Sequence, residues 1–184
     1  MTAILCTVRD GRAYLGADSR TTTGWTYRDD AIKIIVDAPW AFAVSGSMAI
    51  ASWLRFARPH QNGGEGDESY LYRLACEMAA HMESPAGKES EAGVSVLHVI
   101  NRGKAWKIQV NPSHVERVND LVGAGDPTAT VAAMLVARDT LREPDAIRRA
   151  IRACVLIGPG IGGAVNVVSC GPDDFCPRDE VEND

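Results

Sequence analysis

Residues 2–8 alternate, with Ile4, Cys6 and Val8 on one side and Ala3, Leu5 and Thr7 on the other. That period of two predicts a strand. Arg9-Asp10-Gly11 follows as a turn, and Asp-Gly is a strong hairpin signal. Residues 12–18 return as the second strand. Residues 19–30 (SRTTTGWTYRDD) are polar and predict a loop. Residues 31–36 (AIKIIV) and 40–45 (WAFAVS) predict a second hairpin around Asp37-Ala38-Pro39. Gly46 breaks the strand, and Ser47 caps a helix whose stripe is Met48, Ile50, Ala51, Leu54 and Phe56.

Pro59 ends that helix, and the glycine-rich segment HQNGGEGD links it to the next. Residues 68–83 resume helical spacing through Leu71, Leu74, Ala75, Met78 and Met82. After a polar stretch at 84–93, residues 94–100 and 104–110 form a third hairpin about Asn101-Arg102-Gly103. One or two further strands fall in 115–122. Gly123-Ala124-Gly125-Asp126 leads into a helix with Pro127 in its first turn and Val131, Met134, Leu135 and Leu141 as its apolar positions. Pro144 opens another helix through Ile147, Ala150, Ile151 and Cys154. Residues 157–163 turn, and 164–169 (AVNVVS) are the last strand. Strands in runs and helices in pairs predict an α+β protein: two antiparallel sheets between two helical layers.

At 184 residues, 46% hydrophobic and 23% charged, the chain suits one domain with a real core. We expect that domain over 1–172 and an acidic, frayed tail over 173–184. The net charge of −5 argues against nucleic acid as a partner. The apolar runs fall short of the roughly 20 residues that cross a bilayer, and MTAILCTVRD has no basic region ahead of an apolar one. These features predict a cytoplasmic protein with no membrane partner. Cys6, Cys76 and Cys154 lie in apolar stretches and are expected to behave as core residues. Cys170 and Cys176 are close in sequence, but a cytosolic protein keeps such thiols reduced. Neither the cysteines nor His60, His81, His98 and His114 have metal-ligand spacing, so no side-chain metal site is expected.

Several short features then recur in order along nearly the whole chain. Thr2 stands behind Met1. The first hairpin ends in Gly16-Ala17-Asp18-Ser19-Arg20. Lys33 lies in the next strand, Ser45-Gly46-Ser47 at the strand-to-helix break, Gly123-Ala124-Gly125 ahead of the third helix, and Ala164-Val165-Asn166-Val167 at the end. In this ordered set the chain resembles the proteasome-type N-terminal nucleophile (Ntn) hydrolases, especially HslV and the related Anbu proteins. The resemblance implies a four-layer αββα sandwich and a threonine peptidase.

It also assigns roles. With Met1 removed, Thr2 carries both a hydroxyl nucleophile and, in its own α-amine, a base of reference pKa about 8. Lys33 matches the family lysine that holds down the amine's pKa by like-charge repulsion. Asp18 matches the aspartate that holds that lysine, and Gly46 the glycine whose N–H stabilises the oxyanion. By analogy with the family cleft, Thr22, Val44 and the 19–30 segment wall the substrate site. The resemblance implies a homo-oligomeric ring or spiral, unfolded polypeptide as substrate and, for an HslV-like enzyme, an ATP-dependent unfoldase. No cofactor is required; the resemblance allows sodium on backbone carbonyls near residues 153–159.

Each residue also has a plainer reading: Thr2 as a second residue, Asp18 as a turn former, Lys33 as an edge-strand guard, Gly46 as a turn glycine. The pattern departs from the family at Ala124, where active members usually carry a serine in a Gly-Ser-Gly turn. Residues 154–163 also have neither carboxylate nor hydroxyl. With Met1 in place the Thr2 nitrogen is an amide and no base. Three functions follow for comparison: a threonine peptidase, a ring subunit that kept the fold and lost the chemistry, and an Ntn amidase acting on a small molecule.

Overall fold

The computed structural model describes every residue except 1, 24–25, 47, 85–94, 111, 141–144, 159 and 175–184. The chain opens with β1 (Ala3–Arg9) and β2 (Arg12–Asp18). The turn between them puts Asp10 and Gly11 at φ 49° and 76°, the left-handed pair that a two-residue hairpin needs. A small hairpin follows, β3 (Thr21–Thr23) and β4 (Thr26–Arg28). The expected loop at 19–30 is therefore partly strand. Among the described residues these two strands form a sheet of their own.

Next come β5 (Ile34–Asp37), β6 (Trp40–Ser45), α1 (Met48–Phe56) and α2 (Asp67–Glu83). β7 (Val96–Asn101), β8 (Lys104–Gln109) and β9 (His114–Val118) complete a five-stranded antiparallel sheet in the order β5-β6-β7-β8-β9. β10 (Val122–Gly125), α3 (Pro127–Thr140), α4 (Ala146–Ile157) and β11 (Val165–Cys170) follow. The second antiparallel sheet runs β10-β1-β2-β11.

The layers follow from which side chains face which way. In β6, Trp40, Phe42 and Val44 face α1 and α2, joining Ile50, Leu54, Tyr70, Leu74 and Trp106. Ala41 and Ala43 face the other sheet, with Ile4, Cys6, Leu15 and Ala17 from β1 and β2. Ala3 and Leu5 point outward instead, to Ala129, Ala133, Ile147 and Ile151 of α3 and α4. Helices, sheet, sheet, helices: the four-layer αββα sandwich is the observed fold.

Several expectations need correcting. The Gly123-Ala124-Gly125 segment, expected only to lead into the helix, is part of strand β10: Ala124 pairs with Ile4 and Gly125 with Ala3. Strand β5 starts at Ile34, because Lys33 turns to Asp18. In α3 the buried face is Ala129, Ala133 and Ala137, while Val131 and Leu135 are exposed, since small residues let α3 sit close to β10 and α4. Phe56 is likewise exposed at the end of α1. Cys76 is exposed, unlike buried Cys6 and Cys154, because α2 buries positions 70, 71, 74, 75 and 78. Cys176 lies outside the described residues. No described helix is long and apolar enough to cross a membrane.

Candidate active site

The site lies where β1 begins and β2 ends. Asp18, the last residue of β2, is fully buried and accepts four N–H bonds. Oδ1 takes Lys33 Nζ at 2.7 Å and the Ala3 backbone N–H at 2.8 Å. Oδ2 takes the backbone N–H groups of Arg20 and Gly162, each at 3.2 Å. A buried carboxylate survives only with such compensation. Lys33 is nearly as buried, with its side chain 5% exposed. Burial, the largest influence, lowers its pKa from the ordinary lysine value; the pull of Asp18 opposes it.

Thr2 is half-buried just before β1. Its carbonyl accepts the Asp126 N–H at 2.8 Å, and the next N–H, of Ala3, is the one on Asp18. The peptide group that follows Thr2 is thus fixed at both ends. Gly125 makes this possible. At φ 121° it takes a conformation that favours glycine, and a Cβ there would fall on the Thr2 carbonyl. Asp126 then caps α3, accepting the Ala129 N–H at 2.9 Å.

Asp18 therefore ties Lys33 to the peptide group that follows Thr2. Gly46 stands apart from that hydrogen-bond set, exposed at the end of β6 with φ 115°. Ala124 sits beside Ile4 on β10, one strand from the Thr2 end of β1. Thr22 lies on β3 opposite Tyr27. Val44 is 8% exposed and packs into the core beneath α1 and α2. In the turn where the resemblance allows sodium, the carbonyls of Cys154 and Gly158 accept the N–H groups of Gly158 and Ile161. Each oxygen keeps a second lone pair, the donor chemistry such an ion takes.

The sequence reading missed Asp29 and the 161–163 segment. Arg20 pairs with Asp29 through Nε–Oδ1 at 2.6 Å and Nη2–Oδ2 at 2.9 Å. Asp29 lies nine residues on in a polar stretch, and no local spacing marks that pairing. The N–H of Gly162 is a backbone group, so no side-chain motif could have disclosed it.

No family model matches the chain, and no curated protein matches it. Solved structures do. Thiobacillus denitrificans BPH in complex with epoxomicin superposes with a TM-score of 0.75 at 13% identity, over 94% of this chain and all of that one. BPH in a second structure gives 0.76 at 15% identity, over 93% and 98%. HslV from Trypanosoma brucei gives 0.69 at 18% identity, over 92% and 99%. The likeness is one of fold: this chain shares the fold of these BPH and HslV structures over 92–94% of its length.

Proposed function

We propose that this protein is a threonine-type peptidase subunit of a self-compartmentalised, HslV-like protease, cytoplasmic and ring-forming. One observation carries the reading: Asp18 joins a buried lysine to the first amide of β1, directly after Thr2. A sandwich does not require a buried ion pair at that point, because well-packed apolar residues in place of a buried pair are often as stable or more so.

In the reaction, Met1 is first removed. The Thr2 α-amine, kept neutral beside the Lys33 ammonium, takes the hydroxyl proton as Oγ attacks the peptide carbonyl. The Gly46 N–H receives the oxyanion, a contact worth about 3 kcal/mol of barrier. The proton passes to the departing amine, leaving an ester on Thr2. Water hydrolyses that ester and restores the hydroxyl. Lys33 acts by its charge and Asp18 by holding Lys33 and Ala3. The complex of BPH with epoxomicin supports using that inhibitor class as a probe.

The test is intact mass before and after an epoxyketone, which needs both a free α-amine and a hydroxyl on an N-terminal threonine. One stoichiometric adduct, lost in Thr2→Ala, establishes the nucleophile. Retained Met1 and no adduct sinks the peptidase reading. Ala124 favours a second reading, a ring subunit with the fold and without the chemistry. Met1 removed and no adduct would support it.

A further inference from the structure

Residues 19 and 20 form a strap tied to two segments at once. The Arg20 backbone N–H points to Asp18 Oδ2 at 3.2 Å and to the Gly162 carbonyl at 2.9 Å. Its guanidinium lies two-pronged on Asp29, at 2.6 and 2.9 Å, and its Nη1 reaches the Ile161 carbonyl at 3.4 Å. Such a fork fixes the planes of both groups. Ser19 Oγ donates to the Asp29 main-chain carbonyl, and the Ala31 N–H to the Ser19 carbonyl at 2.9 Å. Asp29 is therefore held to the strap by side chain and main chain together.

The 161–163 segment closes on this clamp. A Cβ at Gly162 would come within 2.5 Å of Arg20 Cζ. One at Gly163, whose φ is 72°, would lie 2.8 Å from the Asp29 carbonyl. The two N–H groups on Asp18 Oδ2 come from this assembly, one from the strap and one from the segment it grips.

We propose that Asp29 is a positioning residue: it anchors Arg20 so that strap and segment present their N–H groups to Asp18, and it offsets the Arg20 charge beside Lys33. The second half rests on reading Lys33 as the cation that acts on the Thr2 amine. Asp18 of β2 lies on Lys33 at 2.7 Å, and the charges of Arg20 on the strap and Asp29 ahead of β5 also act on it. Arg20 lowers the proton affinity of Lys33 and Asp29 raises it. Asp29 is partly exposed, so solvent damps its effect without abolishing it.

The experiment follows the Lys33 Nζ resonance in 15N-lysine-labelled protein, assigned by its loss in Lys33→Arg. Asp29→Asn leaves the Arg20 charge unopposed, and the Lys33 midpoint should fall by about half a pH unit or more. Arg20→Gln with Asp29→Asn should restore most of that fall. A purely packing role would leave the midpoint where it is in both. An unchanged midpoint in folded Asp29→Asn, or a double variant that stays with the single, overturns the proposal. Should Asp29→Asn not fold, Arg20→Gln alone must raise the midpoint, and no rise overturns it equally. Epoxyketone labelling of the wild type keeps the two questions apart: no adduct removes the peptidase reading, while the Lys33 midpoint still judges Asp29.

Discussion

Lys33 and Ala3 donate to the same carboxylate oxygen of Asp18, at 2.7 and 2.8 Å. The start of the first strand and the buried ammonium therefore share one acceptor, and neither can shift without the other. Replacing Asp18 by Asn takes the counter-charge from a lysine that is 5% exposed. Breaking a buried pair in this way costs about 3–5 kcal/mol. Urea unfolding at neutral pH should show that loss in Asp18→Asn. Asp18→Asn combined with Lys33→Met should lose less than the sum of the two singles, because the second change removes the stranded charge. A loss under about 1 kcal/mol in Asp18→Asn, as at an exposed pair, would contradict this account.

Gly125 sets the position of Thr2 from the neighbouring strand. Ala there is strained by φ 121°, and its Cβ meets the Thr2 carbonyl and, at 2.5 Å, the Thr2 carbonyl carbon. Gly64→Ala is a clean control: φ is 79° with open space around the added Cβ. Both variants bear a backbone penalty of about 1–3 kcal/mol. Only Gly125→Ala should also abolish epoxyketone labelling and shift the amide resonances of Ala3 and Asp126. Equal labelling in the two variants would show that Gly125 does not place the nucleophile.

These two sites differ in how far the sequence discloses them. The hairpins with left-handed turn residues are legible: Asp10-Gly11 takes positive φ as its residue types predict, and Gly103 marks the other turn, where Arg102 also takes φ 46°. So are the inward stripes of α2 and α4, Leu71, Leu74, Ala75 and Met78 in the one and Ile147, Ala150, Ile151 and Cys154 in the other, although Leu156 and Ile157 at the end of α4 are exposed. The pairing of β10 with β1 is not legible, since Gly-Ala-Gly carries no strand propensity. It forms because the missing side chain at Gly123 admits Thr130 and Leu5. In α3 the pattern misleads, because alanines rather than Val131 and Leu135 meet the sheet. Lys33 and Asp18 emerge from the sequence only as members of an ordered set. The Arg20–Asp29 clamp does not emerge at all, for an acid in a polar stretch looks like any other.

Ala124 offers a gain of function. It pairs with Ile4, two residues from Thr2 on the adjoining strand, and is half-buried. A hydroxyl added there adds one atom to a position with some room. If the missing serine is what limits the chemistry, Ala124→Ser should speed epoxyketone labelling by about tenfold or more, the scale of a single member of a proton network. Its thermal midpoint should stay within a few degrees of wild type. Labelling no faster than wild type in a well-folded Ala124→Ser would show that the serine is not the limiting loss.

His98 gives the protein an acid limit independent of the site. It lies in β7 between Ala43 and Lys107. Leu97 and Val99 take the helix side, so His98 faces the layer between the sheets. Both ring nitrogens are buried, with no hydrogen-bond partner among the described residues. Burial first, and the charge of Lys107 second, push its pKa down to about 4. The unfolded chain binds this proton at about pH 6.5. Above that pH neither state is protonated and His98 makes no demand. Between about 6.5 and 4 the unfolded state holds the proton and the folded state does not, so stability falls as pH falls. Below about 4 both hold it and the fall stops. A factor of ten in proton affinity is about 1.4 kcal/mol, so the total is on the order of 3 kcal/mol. His98→Leu keeps the volume and removes the titration. Urea unfolding at pH 7.5, 5.5 and 4.5 should therefore show wild type losing stability more steeply than His98→Leu, with the gap opening between 7.5 and 4.5. Parallel losses in the two proteins would mean that His98 is not the group that titrates, and that other ionisable groups set the acid limit.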